Sequence, residues 1–183
     1  EDIEFNNDGT KLFVVGERSE DIYAYNLSTP YDITTAKFTY NNLYHNQDNN
    51  PRGIEFSDDG TKLFVADEGH GSDNVYQYNL WTSFDVTTGS YSGKSLNVSS
   101  EDYIPTDMEV NKEGTRVYLS GQDNSVYKYS MGSSNDISTA SYTGDKLNID
   151  FNDLDLDGLT FNSDLSKMFV VDVDSDNVYS YTE

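Results

Sequence analysis

The strongest constraint on this chain is that it repeats itself. The turn Asp8-Gly9-Thr10-Lys11 returns as Asp59-Gly60-Thr61-Lys62, as Glu113-Gly114-Thr115-Arg116 and, degenerately, as Asp164-Leu165-Ser166-Lys167, at intervals of 51, 54 and 51 residues. A second marker, Ile22-Tyr23-Ala24-Tyr25, returns as Val75-Tyr76-Gln77-Tyr78, Val126-Tyr127-Lys128-Tyr129 and Val178-Tyr179-Ser180-Tyr181. A third, Tyr31-Asp32-Ile33-Thr34-Thr35, has copies at Phe84-Asp85-Val86-Thr87-Thr88 and Asn135-Asp136-Ile137-Ser138-Thr139 and no fourth. A unit of this length cannot bury its own apolar face alone and must stack on its neighbours.

Each unit contains four short runs rich in β-branched and aromatic residues, bounded by Gly, Asn, Asp or Ser. In the second unit they are Gly53 to Phe56, Lys62 to Ala66, Asn74 to Asn79 and roughly Ser90 to Val98. The run Leu63-Phe64-Val65-Ala66 is continuously apolar, as a strand covered on both faces requires, whereas Val75-Tyr76-Gln77-Tyr78 alternates and puts both Tyr on one face. No segment has sustained helical periodicity. Leu, Ile, Val and Phe supply only about 22% of the residues, close to the level at which a highly charged chain stays disordered. The 15 Tyr, eight of them in the second marker, make up the deficit.

Four antiparallel strands in every 50 or so residues predict an all-β chain, a β-propeller of four-stranded blades. The segment GIEFSDDGTKLFVADEGHGSDNVYQYNL at 53–80 resembles the bacterial propeller repeats of the YVTN and WD40-like families, and the likeness covers the chain in successive units. It implies one propeller domain over 1–183, with blades at about 1–51, 52–105, 106–155 and 156–183, the last without its outer strand. Such a chain could close as a four-bladed ring, form part of a larger ring, or be completed by copies of itself or a protein partner. Its first residue, a Glu inside a strand-like pattern, suggests that flanking sequence exists.

With 33 acidic against 11 basic side chains, a net charge of −22, unassisted nucleic-acid binding is excluded, because phosphate contacts need Lys and Arg. No run approaches the roughly 18 apolar residues of a membrane span, so no membrane insertion is expected. The absence of Cys removes disulfides and thiolate metal sites. The resemblance sorts the remaining carboxylates: the variable face, built from the loop between the second and third strands and from the connections between blades, receives most of them, together with His45 and His70.

On that face Asp153, Asp155 and Asp157, followed by Gly158, form a D-x-D-x-D-G sequence, the opening of a calcium loop with Asp164 at its twelfth position. Asp172, Asp174 and Asp176 form a second acidic stretch without the Gly. His45 and His70 lie in polar segments and read as solvated. Period-2 alternation places Glu4, Glu55 and Glu109, with Thr160 as the fourth of the series, at the propeller axis or a blade interface. There they are either paired with Lys11, Lys62 and Arg116 or, as propeller lactonases imply, able to hold a cation.

No nucleophile elbow, H-E-x-x-H pair or phosphate-cradling loop occurs. The sequence therefore predicts a non-enzymatic extracellular or surface module for binding or assembly, as in an adhesin or fibre, with calcium as the candidate cofactor. A cation-dependent hydrolase or lactonase using the channel carboxylates and a glycan-binding lectin using Tyr and Trp81 are the alternatives.

Overall fold

The structure, a computed structural model, describes residues 2–16, 20–47, 50–69, 73–101, 104–149, 156–173 and 176–182. The first blade is an antiparallel meander of β1 (Asp2–Phe5), β2 (Lys11–Val15), β3 (Asp21–Leu27) and β4 (Ala36–Tyr44). The second holds β5 (Pro51–Phe56), β6 (Lys62–Asp67), β7 (Asn74–Leu80) and β8 (Gly89–Asn97). The third holds β9 (Pro105–Val110), β10 (Arg116–Gly121), β11 (Ser125–Met131) and β12 (Ala140–Asn148). The fourth has three strands among the described residues, β13 (Leu156–Phe161), β14 (Lys167–Asp172) and β15 (Asn177–Thr182). The four sheets form a partial β-propeller.

The repeated turn shows why its residues recur. Asp59 Oδ1 accepts from the Thr61 N–H at 2.9 Å and the Thr61 hydroxyl at 2.8 Å, closing the hairpin between β5 and β6. Gly60 sits at φ +66°, and a Cβ there would lie 2.3 Å from the Phe84 ring. Glycine is thus required both by the left-handed backbone and by the aromatic laid over it. The Phe84 N–H in turn donates to the Gly60 carbonyl, so the first residue of the third marker closes over the turn.

That marker also contains a single 3-10 turn, at Ile33–Thr35, Val86–Thr88 and Ile137–Thr139, which the sequence pattern did not announce because three residues are too few to show a period. In the second and third copies the central aliphatic residue is driven into the preceding blade. Val86 joins Leu43 of β4 in one core, and Ile137 joins β7 and β8 residues in the next, with its N–H donating to Gln77 Oε1 at 2.9 Å. The core accordingly lies between blades, in three clusters that each span two neighbouring sheets.

At the inner ends the blades are stapled by backbone. Asp2 and Asp107 occupy the position at which the second and fourth blades have Gly53 and Gly158. A Cβ on Gly53 would lie 2.9 Å from the Cα of Asp107. Because the obstruction is backbone, Gly53→Ala is expected to cost about 1–3 kcal/mol through a forced separation of the second and third blades. A thermal melt reads this directly, and an unchanged midpoint would contradict the close approach.

Candidate functional site

The innermost strands β1, β5, β9 and β13 run side by side, and their alternation carries Glu4, Glu55, Glu109 and Thr160 to the axis. The three Glu are half-buried. They line two hollows at once: one of about 260 Å³ that also takes in Asp2 and Asp107, and one of about 360 Å³ toward the repeated turns, with Asn111 and Lys112 on its wall. The carboxyl ring therefore forms the waist between the two hollows.

Pairing with the basic residues at the strand starts, one of the two sequence expectations, is not what the structure contains. Lys11 donates its ammonium to the Phe84 carbonyl at 2.7 Å, and Lys62 donates to Asn79 Oδ1 at 2.9 Å. In the ladders Glu4 is opposite Phe13 and Glu55 opposite Phe64, with each Lys two residues further along its strand and engaged by these other acceptors.

Burial and neighbouring carboxylates raise all three Glu above the ordinary carboxylate range. Burial first, then the charges of Glu109 and Asp2, push Glu4 from 4.5 to about 8. Burial and then Glu4 and Glu109 raise Glu55 well above the ordinary range. Glu109 is raised by burial, although the Thr160 hydroxyl and the Phe161 N–H donate to it and pull the other way.

Asp2 and Asp107 were missed by the sequence reading. Each binds two backbone N–H groups: Asp2 accepts from Ile3 at 2.6 Å and Ile54 at 2.9 Å, and Asp107 accepts from Met108 and Leu159, both at 2.7 Å. These bonds favour ionisation, but burial outweighs them, raising Asp2 to about 6 and Asp107 well above its usual value.

The acidic stretches behave differently. Asp153, Asp155 and Asp174 lie outside the described residues, as does His70. Asp157 stands at the irregularity in the β13–β14 ladder, between the pairs Leu156–Asp172 and Gly158–Val171. Asp164 is at the other end of β13, accepting from the Ser166 N–H and hydroxyl. Asp172 is buried at the end of β14, and Asp176 has a positive φ in the turn before β15. Among the described residues, no three His, Asp or Glu side chains converge closely enough to hold a metal ion.

His45, expected to be solvated, is fully buried. Its Nε2 is 2.8 Å from Asp67 Oδ2, off the line of an aligned hydrogen bond, and its Nδ1 is 2.8 Å from the Tyr78 hydroxyl. The Asp67 carboxylate favours the proton on Nε2, which leaves Nδ1 to accept from Tyr78. The signal was in the repeat: His45 takes the place of Val98 and Ile149, each of which binds the matching carbonyl in its blade and is buried.

The model of one protein family, described as lactonase, 7-bladed beta-propeller, matches residues 2–141. The chain belongs to this lactonase family. Of the resemblance read from the repeats, the YVTN-like propeller likeness is supported, and the family is that of the seven-bladed lactonases. Among curated proteins none matches.

Similar solved structures include a candidate 6-phosphogluconolactonase from Bacteroides uniformis, at 13% identity and TM-score 0.66, covering 99% of this chain and 49% of that one. A functionally unknown protein from Desulfotomaculum acetoxidans is similar at 16% identity and TM-score 0.63, with 98% and 53% covered. A candidate 6-phosphogluconolactonase from Bacteroides fragilis aligns at 15% identity and TM-score 0.59, with 81% and 39% covered. The lactonase-family chain spans about half the length of these structures or less, and at such identities the likeness concerns the fold.

Proposed function

We propose that the channel carboxyls serve the hydrolysis of a small, uncharged lactone, a departure from the non-enzymatic role that composition suggested. The observation that carries this reading is the placement of Glu4, Glu55 and Glu109 at the waist between two hollows, in a chain of the lactonase family. Acids raised by burial and by neighbouring carboxylates, and lining one hollow, can divide between them the general base and general acid roles of one reaction.

In the proposed step an ionised ring carboxylate takes a proton from water as its oxygen adds to the lactone carbonyl. A protonated neighbour gives its proton to the ring oxygen as the carbon–oxygen bond breaks, and a hydroxy acid results. The product acquires a carboxylate among carboxylates, so repulsion favours its release. The same field disfavours a phosphorylated substrate in a chain of net charge −22.

The test follows acid release from an uncharged six-membered sugar lactone and from its phosphate ester. The uncharged lactone is expected to be hydrolysed faster, and Glu55→Gln to lower kcat/KM by about a hundredfold. No rate above that of buffer between pH 5 and 9 would rule the reading out.

A further inference from the structure

Two of the crevices between neighbouring blades are closed at the outer rim by a copy of the third marker, and they are filled differently. Between the second and third blades the polar groups pair with one another. Lys62 donates to Asn79 Oδ1 at 2.9 Å, the Ile137 N–H donates to Gln77 Oε1 at 2.9 Å, and the Lys94 ammonium is 2.6 Å from Asp136 Oδ2. Gln77 and Lys94 are cross-strand partners, and the pair in the same place on the first blade is Ala24 and Asn41. Neither of these side chains spans the gap to the second blade. What they leave is a hollow of about 160 Å³, with Lys11, Asn26, Thr39 and Asn41 on one wall and Asp85 and Val86 on the other.

The groups that pair in one crevice are unused in the other. Among the described residues the Val86 N–H, counterpart of that of Ile137, has no acceptor. Asp85 binds Thr87 through Oδ1 and leaves Oδ2 free. Lys11 has turned from Asn26 to the Phe84 carbonyl, so the side-chain amides of Asn26 and Asn41 are unpaired.

The wall also holds a residue in a conformation that does not suit it. Between Thr39 and Asn41 stands Tyr40 at φ +58°, a left-handed bulge position that is Gly93 in the second blade and Gly144 in the third. Side chains disfavour that backbone, and packing does not compensate, because Tyr40 is 86% exposed and its ring rests only on Phe38 at 4.9 Å. The exposure belongs to the bulge and not to the place of the first blade in the series. A Cβ on Gly93 or Gly144 would meet no atom within 4 Å, although both of those blades have a predecessor. Strain of this kind gathers at ligand sites.

We propose that the crevice between the first and second blades, with Tyr40 at its rim, binds a neutral sugar. A sugar hydroxyl accepts and donates at once, so adjacent hydroxyls can accept from the Val86 N–H, as Gln77 does from Ile137, and donate to Asp85, as Lys94 does to Asp136. The two amides supply further pairs, and the apolar face of the sugar ring stacks on Tyr40. Lys11 and Asp85 together leave the crevice without net charge, which suits an uncharged ligand. The crevice lies on outer strands, whereas innermost strands line the channel, so the inference is independent of the lactone chemistry.

Titration of the protein with D-glucose, D-galactose and N-acetyl-D-glucosamine, followed by proton–nitrogen NMR, tests it. The expected result is a saturating shift of the Val86 N–H and of the Asn26 and Asn41 amides with at least one of the three. Ala24→Gln combined with Asn41→Lys installs the side chains that the other crevice accommodates, and is expected to abolish the response of Val86 and Asn26. Tyr40→Gly restores the residue of the other two bulges, removes the strain, and is expected to weaken binding about tenfold. Shifts that never saturate, or that ignore the double substitution or Tyr40→Gly, overturn the proposal. A response to β-alanine and to none of the sugars also overturns it, since the crevice would then take a pair of charges.

Discussion

Truncating Tyr78 to alanine is expected to lower the unfolding free energy by about 3–5 kcal/mol, the cost of removing a large aromatic from a packed core. The ring is almost fully buried between the first and second blades, with its centroid 5.8 Å from those of both His45 and Tyr91. The loss would be double. A cavity opens, and the buried His45 Nδ1 is left without its 2.8 Å partner next to the buried Asp67 carboxylate. Tyr78→Phe isolates the second part and is expected to cost about 1–2 kcal/mol.

Tyr129→Ala should resemble Tyr78→Ala in packing loss, since Tyr129 is as deeply buried and packs on Tyr142. Its hydroxyl donates to Glu101 Oε2 at 3.4 Å. Tyr25→Ala is expected to cost less than either, because Tyr25 is half-buried on the open side of the first blade. Urea unfolding midpoints rank the four variants. Equal losses for Tyr25 and Tyr78 would contradict the assignment of the core to the blade interfaces.

The same residues show what a sequence can and cannot convey. The Asp-Gly-Thr-Lys turns were legible because their chemistry is local: the Asp side chain, the positive φ and the following Thr lie within four residues. The inner Glu series was legible because strand alternation fixes its side. His45 was not, because its polar neighbours suggest solvent, while its burial is set by the next blade, which supplies Asp67 and Tyr78. Aligning it with Val98 and Ile149 would have exposed the anomaly. Asp2 and Asp107 were hidden for a related reason. In a chain this acidic a carboxylate at a strand start reads as solvated, and only the aligned Gly53 and Gly158 mark the position as a place where blades meet. Of the D-x-D-x-D-G sequence, Asp153 and Asp155 lie outside the described residues, and β13 runs extended between Asp157 and Asp164.

Stability is expected to fall as pH rises from 5 to 8, against the usual behaviour of a protein whose acids are paired with bases. A carboxyl with a raised folded pKa holds its proton in the folded state after the unfolded chain has released it. Its contribution is complete below the unfolded value and is lost as pH rises through the folded one. For Glu4 that window runs from 4.5 to about 8, and Glu55, Glu109, Asp2 and Asp107 shift in the same direction. Each proton held only by the folded chain costs about 1.4 kcal/mol per pH unit. The ring shares one field and its protons are not independent, so the expected fall is on the order of 4 kcal/mol between pH 5 and 8.

The turn carboxylates act oppositely. Hydrogen bonds from Thr10, Thr61, Ser138 and Ser166, with the Lys94 ammonium at Asp136, lower the pKa of Asp8, Asp59, Asp136 and Asp164. Their contribution is lost only as pH falls through those lowered values, which puts the optimum near pH 5. Urea unfolding at several pH values in high salt separates the channel from general repulsion, because salt screens the exposed charges far more than the buried ring. Glu4→Gln and Glu55→Gln should each flatten the profile and raise stability at pH 8, since the amide needs no proton to stay neutral. A profile that rises from pH 5 to 8, or one that neither substitution alters, would mean that the channel carboxyls are ionised in the folded protein. It would also remove the proton donor from the proposed lactone hydrolysis.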